Sequence, residues 1–466
     1  MVLAINALWA PGATTIPGSD KSWRSQVVFY NLETRFISII ILQALNVSQL
    51  AAAALLRPGW YSKLGFVIFN FSTPVLHRSI MPRRLTTMPK PIYLDYNATT
   101  PHDPEVIEAM RPFFEEEFGN PSSSHFYGSK PKQAVIKARE QVASLLNCKP
   151  EEIIFTSGGT ESNNFAIKGC AQALRHKGNH IITSRIEHPA VIEVCHFLKS
   201  TGYEVTYLPV DEFGRVNQAH VETAIKNETI LISIMHTNNE VGSVQPIEEI
   251  SKLAKKHDII LHTDAAQSLG KIPVDVNRPL VDLLSIAGHK IYAPKGVGAL
   301  YIRQGLAPAK LMHGAGQEMT VRPGTENVLE IVGLGMACEI AGRDLQKNMT
   351  HMRTMRDRLF EGIKKGCDQV KLNGHPQKRL PNTLSISFLG LEANRILDAI
   401  ATEVAASAGA ACHSDTVQIS DVLTAMNVPL EWAKGTLRLT TGRMTTATDI
   451  DKAVQVICEA VKKLKG

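Results

Sequence analysis

At 466 residues the chain is longer than a single hydrophobic core usually supports, so two or more domains are expected. Hydrophobic residues make up 44% and charged residues 20%, the balance of a soluble globular enzyme and not of a disordered or fibrous chain. The formal charge of +6 does not describe a nucleic-acid surface, because residues 1–88 hold eight Lys or Arg against two acids and the remainder is neutral.

Residues 1–88 read as an extension. The run FISIIILQALNVSQLAAAALL (36–56) has spanning length, but Gln43, Asn46, Ser48 and Gln49 interrupt it, which makes a poor transmembrane helix. Three readings stay open: a transit peptide, an anchor, or translation that starts at Met81 or Met88. The expected compartment is cytoplasmic, or mitochondrial if the extension is a genuine transit peptide. The seven cysteines never come closer than 22 residues, so there is no C-x-x-C pair, no metal site is expected, and reduced thiols are.

From residue 103 helical and strand patterns alternate. DPEVIEAMRPFFEEEF and KPKQAVIKAREQVASLL have the apolar spacing of helices, EEIIFTSGG is a short strand ending in glycines, and TESNNFAIKGCAQAL is helical. Then HIITS, YEVTYLP, TILISIM, DIILHTD, VDLLSIA and VGALYI follow as short apolar strands, several separated by helices such as PAVIEVCHFLKS and PIEEISKLAKKH. Such strands imply a mainly parallel sheet covered on both faces. After residue 343 a long polar helix, β-like NTLSISF and a closing helix at 448–464 indicate a second, smaller α/β domain. The expected organisation is a large domain over 100–342 and a small one from 89–99 and 343–466.

Polar residues gather where the strands end, which is where open α/β sheets bind ligands. TSGGTESNN (156–164) passes from strand through glycines into a helix, and free N–H groups there suit a phosphate. Asp264 follows one apolar strand and Lys290 the next. A lysine in that place is ordinarily a snorkelling surface residue. Together with an acid able to hold a pyridine nitrogen protonated and with the phosphate cradle, it meets the binding needs of pyridoxal 5'-phosphate.

The segment DLLSIAGHKIYAPKGVGAL resembles the lysine signature of the class V aminotransferases, whose fold is that of the type I PLP-dependent transferases. YLDYNATTP, GNPSSSH, TSGGTESNN, EHPAV, HTNNEVGSVQPI, DAAQSLGK and GAGQEMTVRPGTENV occur in the order they take in NifS-like cysteine desulfurases and selenocysteine lyases, over roughly 91–466. The resemblance implies that Lys290 is the Schiff-base lysine, Asp264 the partner of the pyridine nitrogen, and Gln267 a donor to the ring oxygen. It implies that His188 stacks on the ring and relays protons, and that Asn239 lies beside the ring oxygen. Gly159, Thr160 and His289 match phosphate contacts, and Thr325 a phosphate contact given by the neighbouring subunit of a homodimer. Arg443 matches the substrate-carboxylate arginine, with Asn97 nearby.

SAGAACHSD (407–415) places Cys412 among small residues, where a cysteine is ordinarily a packing group. Beside a PLP site the same segment reads as a loop that brings a thiol to the substrate. Ala287, where cysteine desulfurases usually carry serine, and GAACHSD in place of their Ser-rich segment are selenocysteine-lyase features. The expected reaction is therefore decomposition of L-selenocysteine to L-alanine and selenide. The alternative is desulfuration of L-cysteine, and either reaction calls for a small amino-acid substrate and a selenium or sulfur acceptor protein. No nucleic-acid partner is expected.

Overall fold

The structure, a computed structural model, describes residues 90–466 except 414 and 415, with the backbone alone described at 410–418. The extension and its apolar run at 36–56 lie outside the described residues. No helix among the described residues is long and apolar enough to cross a membrane.

A two-residue strand, β1 (Ile92–Tyr93), comes first. Seven strands then build the central sheet: β2 (Ile153–Thr156), β3 (His180–Ser184), β4 (Glu204–Leu208), β5 (Thr229–Ser233), β6 (Ile260–Asp264), β7 (Leu283–Ala287) and β8 (Gly298–Ile302). Their order is 2-8-7-6-5-3-4, and every neighbouring pair is parallel except those that β8 makes with β2 and β7. This is the mixed, mainly parallel sheet expected from the run of short apolar segments. All five residues of β3, β5, β7 and β8 are buried, because helices cover both faces. Alternation along β3 sends Ile182 into a core with the helices Phe126–Leu146 and Val328–Arg343, while Ile181 packs with the helices Gly159–Ala173 and Pro189–Ser200 on the other face.

The polar exceptions inside the sheet are paired with one another. His262 on β6 shares hydrogen bonds with Ser233 Oγ at 2.8 Å and Ser285 Oγ at 3.0 Å, tying three adjacent strands. Burial pushes its imidazole down to about 3, so this ladder is neutral and structural.

The later strands are β9 (Val370–Asn373), β10 (Thr383–Phe388), β11 (Val404–Ala405), β12 (Ser407–Ala408), β13 (Ala410–His413), β14 (Thr416–Ile419) and β15 (Thr436–Thr440). Four of them form an antiparallel sheet in the order 12-15-10-9, with its own core against the helices Leu345–Gly366, Ala393–Ile400 and Ala447–Lys465. β13 and β14 form a hairpin that opposes Cys412 to Val417. The first described residues join this second sheet: β1 pairs with β11, which precedes β12, and Asp95 bridges to Thr440 of β15.

Candidate active site

The two sheets meet at a cavity of about 260 Å³ at the ends of β6 and β7. It is lined by Asn97, Gly159, Thr160, His188, Asn239, Asp264, Gln267, His289 and Lys290, nine of the residues expected from sequence, drawn from six separate stretches of chain. A wider groove of about 690 Å³ between the helices Phe126–Leu146 and Val328–Arg343 holds none of them.

The helix Gly159–Ala173 points its start at this cavity, and the N–H groups of its first turn have no acceptor inside the helix. Two glycine requirements shape the turn. Gly158 has φ of 151°, in the range that favours glycine. A Cβ on Gly298 of β8 would lie 2.7 Å from Gly158 Cα, so a side chain there would push the turn away. Ala287 Cβ lies 3.2 Å from where a Cβ on Gly159 would stand, so the wall beside the helix start is closely packed. This start is an anion-binding end for a phosphate.

Asp264 is the last residue of β6 and only 7% exposed. Its oxygens accept from Asn163 Nδ2 at 2.7 Å and from the Ala266 N–H at 2.9 Å. It makes no ion pair among the described residues, so its charge is available to a cationic ring nitrogen in the cavity. His188 caps the helix Pro189–Ser200, its Nδ1 accepting from the Ala190 N–H at 3.1 Å. That bond leaves the proton of the neutral ring on Nε2. Burial holds its pKa below the ordinary value, against the opposing pull of Asp264.

Lys290 ends the 3₁₀ turn that follows β7. Its Nζ donates to the carbonyls of Asn97 at 2.6 Å and Ala98 at 2.8 Å. Burial, reinforced by the Arg438 charge, lowers its pKa to about 8, which makes it an amine that deprotonates readily. His289 beside it falls to about 4 through burial and the nearby lysines, and its Nδ1 meets Thr99 Oγ1 at 3.2 Å. Asn97 is 1% exposed and joins the two sheets: its Nδ2 donates to Asn239 O and Thr383 Oγ1, and its Oδ1 accepts from Asn382 Nδ2.

One residue expected at the substrate lies elsewhere. Arg443 does not line this cavity. Its guanidinium is ion-paired with Asp103 and lies 3.8 Å from the Tyr292 ring centroid, and its backbone N–H donates to Tyr292 Oη at 2.9 Å. With a carboxylate and a ring face already engaged, it clamps the chain behind Lys290. The arginine that does line the cavity is Arg438, in the middle of β15. It donates to Asp95 Oδ1 at 2.9 Å, Ser407 Oγ at 3.2 Å and Asn239 O at 3.3 Å, and its buried Nε has no partner among the described residues. Its signal in the sequence is a lone charge in the otherwise buried strand TLRLT. Thr325 is exposed, between the turn Glu318–Thr320 and the helix Val328–Arg343, and is not part of this cavity within one chain. The side chain of Cys412 is outside what the structure describes. Its strand follows β12, where Ser407 is paired with Arg438.

Residues 92–453 match the Aminotransferase class-V family. The chain is 50% identical over 379 residues to a cysteine desulfurase IscS of Dictyoglomus turgidum, covering 81% of this chain and 96% of that one. It is 44% identical to a cysteine desulfurase IscS of Rickettsia peacockii, covering 83% and 95%. Among solved structures, a NifS-like protein superposes with a TM-score of 0.76 at 37% identity, covering 80% of this chain and all of that one. A structure of SspA in complex with cysteine superposes at 0.67 with 38% identity, covering 76% and 99%. The chain belongs to the class V aminotransferase family, and its cofactor is pyridoxal 5'-phosphate. The cavity fits that group. It offers a helix start for the phosphate, a buried carboxylate for the ring nitrogen and a lysine of lowered pKa, and two of its lining residues, Asn163 and Thr237, each hold a buried oxygen without a partner among the described residues.

Proposed function

We propose that the chain is a cysteine desulfurase, which takes sulfur from L-cysteine, releases L-alanine and hands the sulfur to an acceptor protein, working as a homodimer to which Thr325 contributes across the interface. The observation that carries this reading is the join at β12. Ser407 is registered against Arg438 in the cavity wall, and Cys412 follows five residues later in the hairpin that leaves that strand. The names of the relatives support sulfur over selenium as the element removed. The selenium preference read from Ala287 and GAACHSD finds no support among them.

Pyridoxal phosphate, when bound, supplies a sink for the charge that develops at the substrate Cα. The helix start at Gly159–Thr160 would hold the phosphate, Asp264 would pair with the ring nitrogen and Lys290 would anchor the group covalently. Arg438 takes the substrate carboxylate with the donors that Asp95 and Ser407 leave free, replacing water by a fixed charge. The carboxylate thus orients the Cα–H toward the Lys290 amine, which removes that proton and returns one to the product. Neutral His188 presents its Nε2–H on the cavity side opposite to the bond made by Nδ1. The Cys412 thiolate attacks the substrate sulfur. An S–S bond forms, the Cβ–S bond breaks with its electron pair staying on Cβ, and protonation there gives the methyl group of alanine. The persulfide left on Cys412 is the form passed onward.

The test supplies L-cysteine and L-selenocysteine separately to the purified protein, and measures alanine and the mass of the Cys412 peptide. Turnover of cysteine, with one added sulfur on Cys412 and none in Cys412→Ala, is expected. Alanine from selenocysteine alone, with no sulfur on Cys412, would reverse the assignment.

A further inference from the structure

Gln267 lines the cavity just beyond β6, and its carboxamide has to be aimed. An amide is a donor at one end and an acceptor at the other with nearly the same shape, so packing alone does not decide which end faces a ligand. Two buried bonds decide it here. Nε2 donates to the Asn97 carbonyl at 2.9 Å, and Oε1 accepts from Lys271 Nζ at 2.8 Å. Lys271 follows four residues later, in the turns after β6, and is 4% exposed. It makes no ion pair among the described residues, and Gln267 Oε1 is the one acceptor its amine has there. Burial, with Lys290 and Arg438 as neighbouring like charges, drives its pKa well below the lysine range. Nor does Lys271 reach the cavity. It lines a small void behind Lys290, with Tyr96, Tyr292 and Asn348.

A buried lysine with one partner, no counter-charge and no access to the ligand is expensive to keep, and removing water from it needs a return. The return is its donation. We propose that Lys271 is a positioning residue for the cofactor: by donating to Oε1 it fixes the Gln267 carboxamide with the –NH₂ end toward the cavity. Gln267 then meets the cofactor's ring oxygen as a donor. If the amide turned, Oε1 would face both that oxygen and the Asn97 carbonyl, setting acceptor against acceptor. The inference rests on Gln267 being the residue that meets the ring oxygen.

Lys271→Met keeps an unbranched side chain and removes the donor. Three quantities are measured: the Kd of the apo-protein for pyridoxal phosphate, the visible absorption maximum of the loaded protein, and Tm. Kd is expected to rise roughly five- to tenfold, the scale of one lost hydrogen bond. The visible maximum is expected to shift, and Tm to stay equal or rise, because an apolar thioether replaces a buried amine. A merely structural lysine would lower Tm and leave the spectrum alone. Gln267→Ala should move Kd and the spectrum in the same direction, and adding Lys271→Met to it should change neither further. Lys271→Leu removes the donor with a different apolar shape should the methionine variant not fold, and Lys271→Gln, which keeps an N–H donor, should restore much of the original spectrum. Unchanged Kd and spectrum in the donor-free variants would overturn the proposal, as would a further loss on top of Gln267→Ala. If Gln267→Ala itself alters nothing while Lys290→Ala removes the visible band, the cofactor site stands and the role given to Gln267, with this inference, falls.

Discussion

The central sheet and the second sheet make opposite walls of one cavity by different means. On the central-sheet side each polar group follows its own strand: Gly159 and Thr160 come after β2, His188 after β3, Asp264 ends β6, and His289 and Lys290 come after β7. Parallel pairing sets the ends of β3, β5, β6 and β7 on one side, and the antiparallel β8 between β7 and β2 turns the end of β2 the same way, so the cofactor wall comes from local chain placed by one sheet. On the other side Arg438 sits within β15, and the partners that aim it are Asp95, 343 residues away, and Ser407, 31 residues away. The cofactor wall is therefore a property of one sheet, whereas the substrate wall is a property of contacts between distant segments. Substitutions in the first should alter the bound cofactor, and those in the second should alter substrate affinity with the cofactor retained.

The most severe test of that division is Lys290→Ala. Turnover of cysteine should fall by roughly 10³-fold or more, and the visible band of the loaded protein should vanish, as read by alanine release and by absorbance. A retained band would move the covalent anchor elsewhere. Next in size is the pair of arginines. Arg438→Met should raise KM for cysteine by roughly 10- to 100-fold, the scale of a lost charge-assisted contact, with the visible band unchanged. Arg443→Met should leave KM near its original value and lower Tm, because it breaks a half-buried ion pair with Asp103 and a stack on Tyr292. The reverse outcome would return the carboxylate to Arg443 and dissolve the distinction between the two walls.

The smallest effect expected is on pH. The free Lys290 amine has a depressed pKa of about 8, so it is charged and unreactive below that value and uncharged above it. The rate at which apo-protein takes up pyridoxal phosphate should accordingly rise by roughly tenfold between about pH 7 and 9 and level off there, as followed by absorbance. A rise that continues toward the ordinary lysine range, with no levelling, would show that burial does not tune this amine.

Much of the cofactor wall is legible in the chain because each residue lies within a few positions of a short apolar strand, and strand ends are where such sheets bind ligands. HIITS, TILISIM, DIILHTD and VDLLSIA correspond to β3, β5, β6 and β7. NTLSISF is β10, but the two strands that flank it, β9 and β15, carry no comparable apolar run, since VKLN and TLRLT mix charge with aliphatic residues. The choice between Arg438 and Arg443 is where local reading fails. They are five residues apart, and only the pairing of β15 with β12 and the position of Asp103 decide which one faces the cavity. Lys271 is silent in sequence for a similar reason: a lysine after a turn reads as solvated, and its burial depends on Tyr96 and Asn348, which come from far along the chain.

By itself, then, the sequence determined the alternation of strands and helices, the glycine turn that opens the helix Gly159–Ala173, and the Asp264 and Lys290 pair at adjacent strand ends. Each of these follows from periodicity and short-range chemistry. The tertiary structure alone decided the antiparallel order of the second sheet, the arginine that enters the cavity, the buried lysine behind Gln267, and the strand that leads from Arg438 to Cys412. Those depend on which distant segments share a core, and a linear pattern does not encode that choice because burial is a property of the folded neighbours and not of the residue.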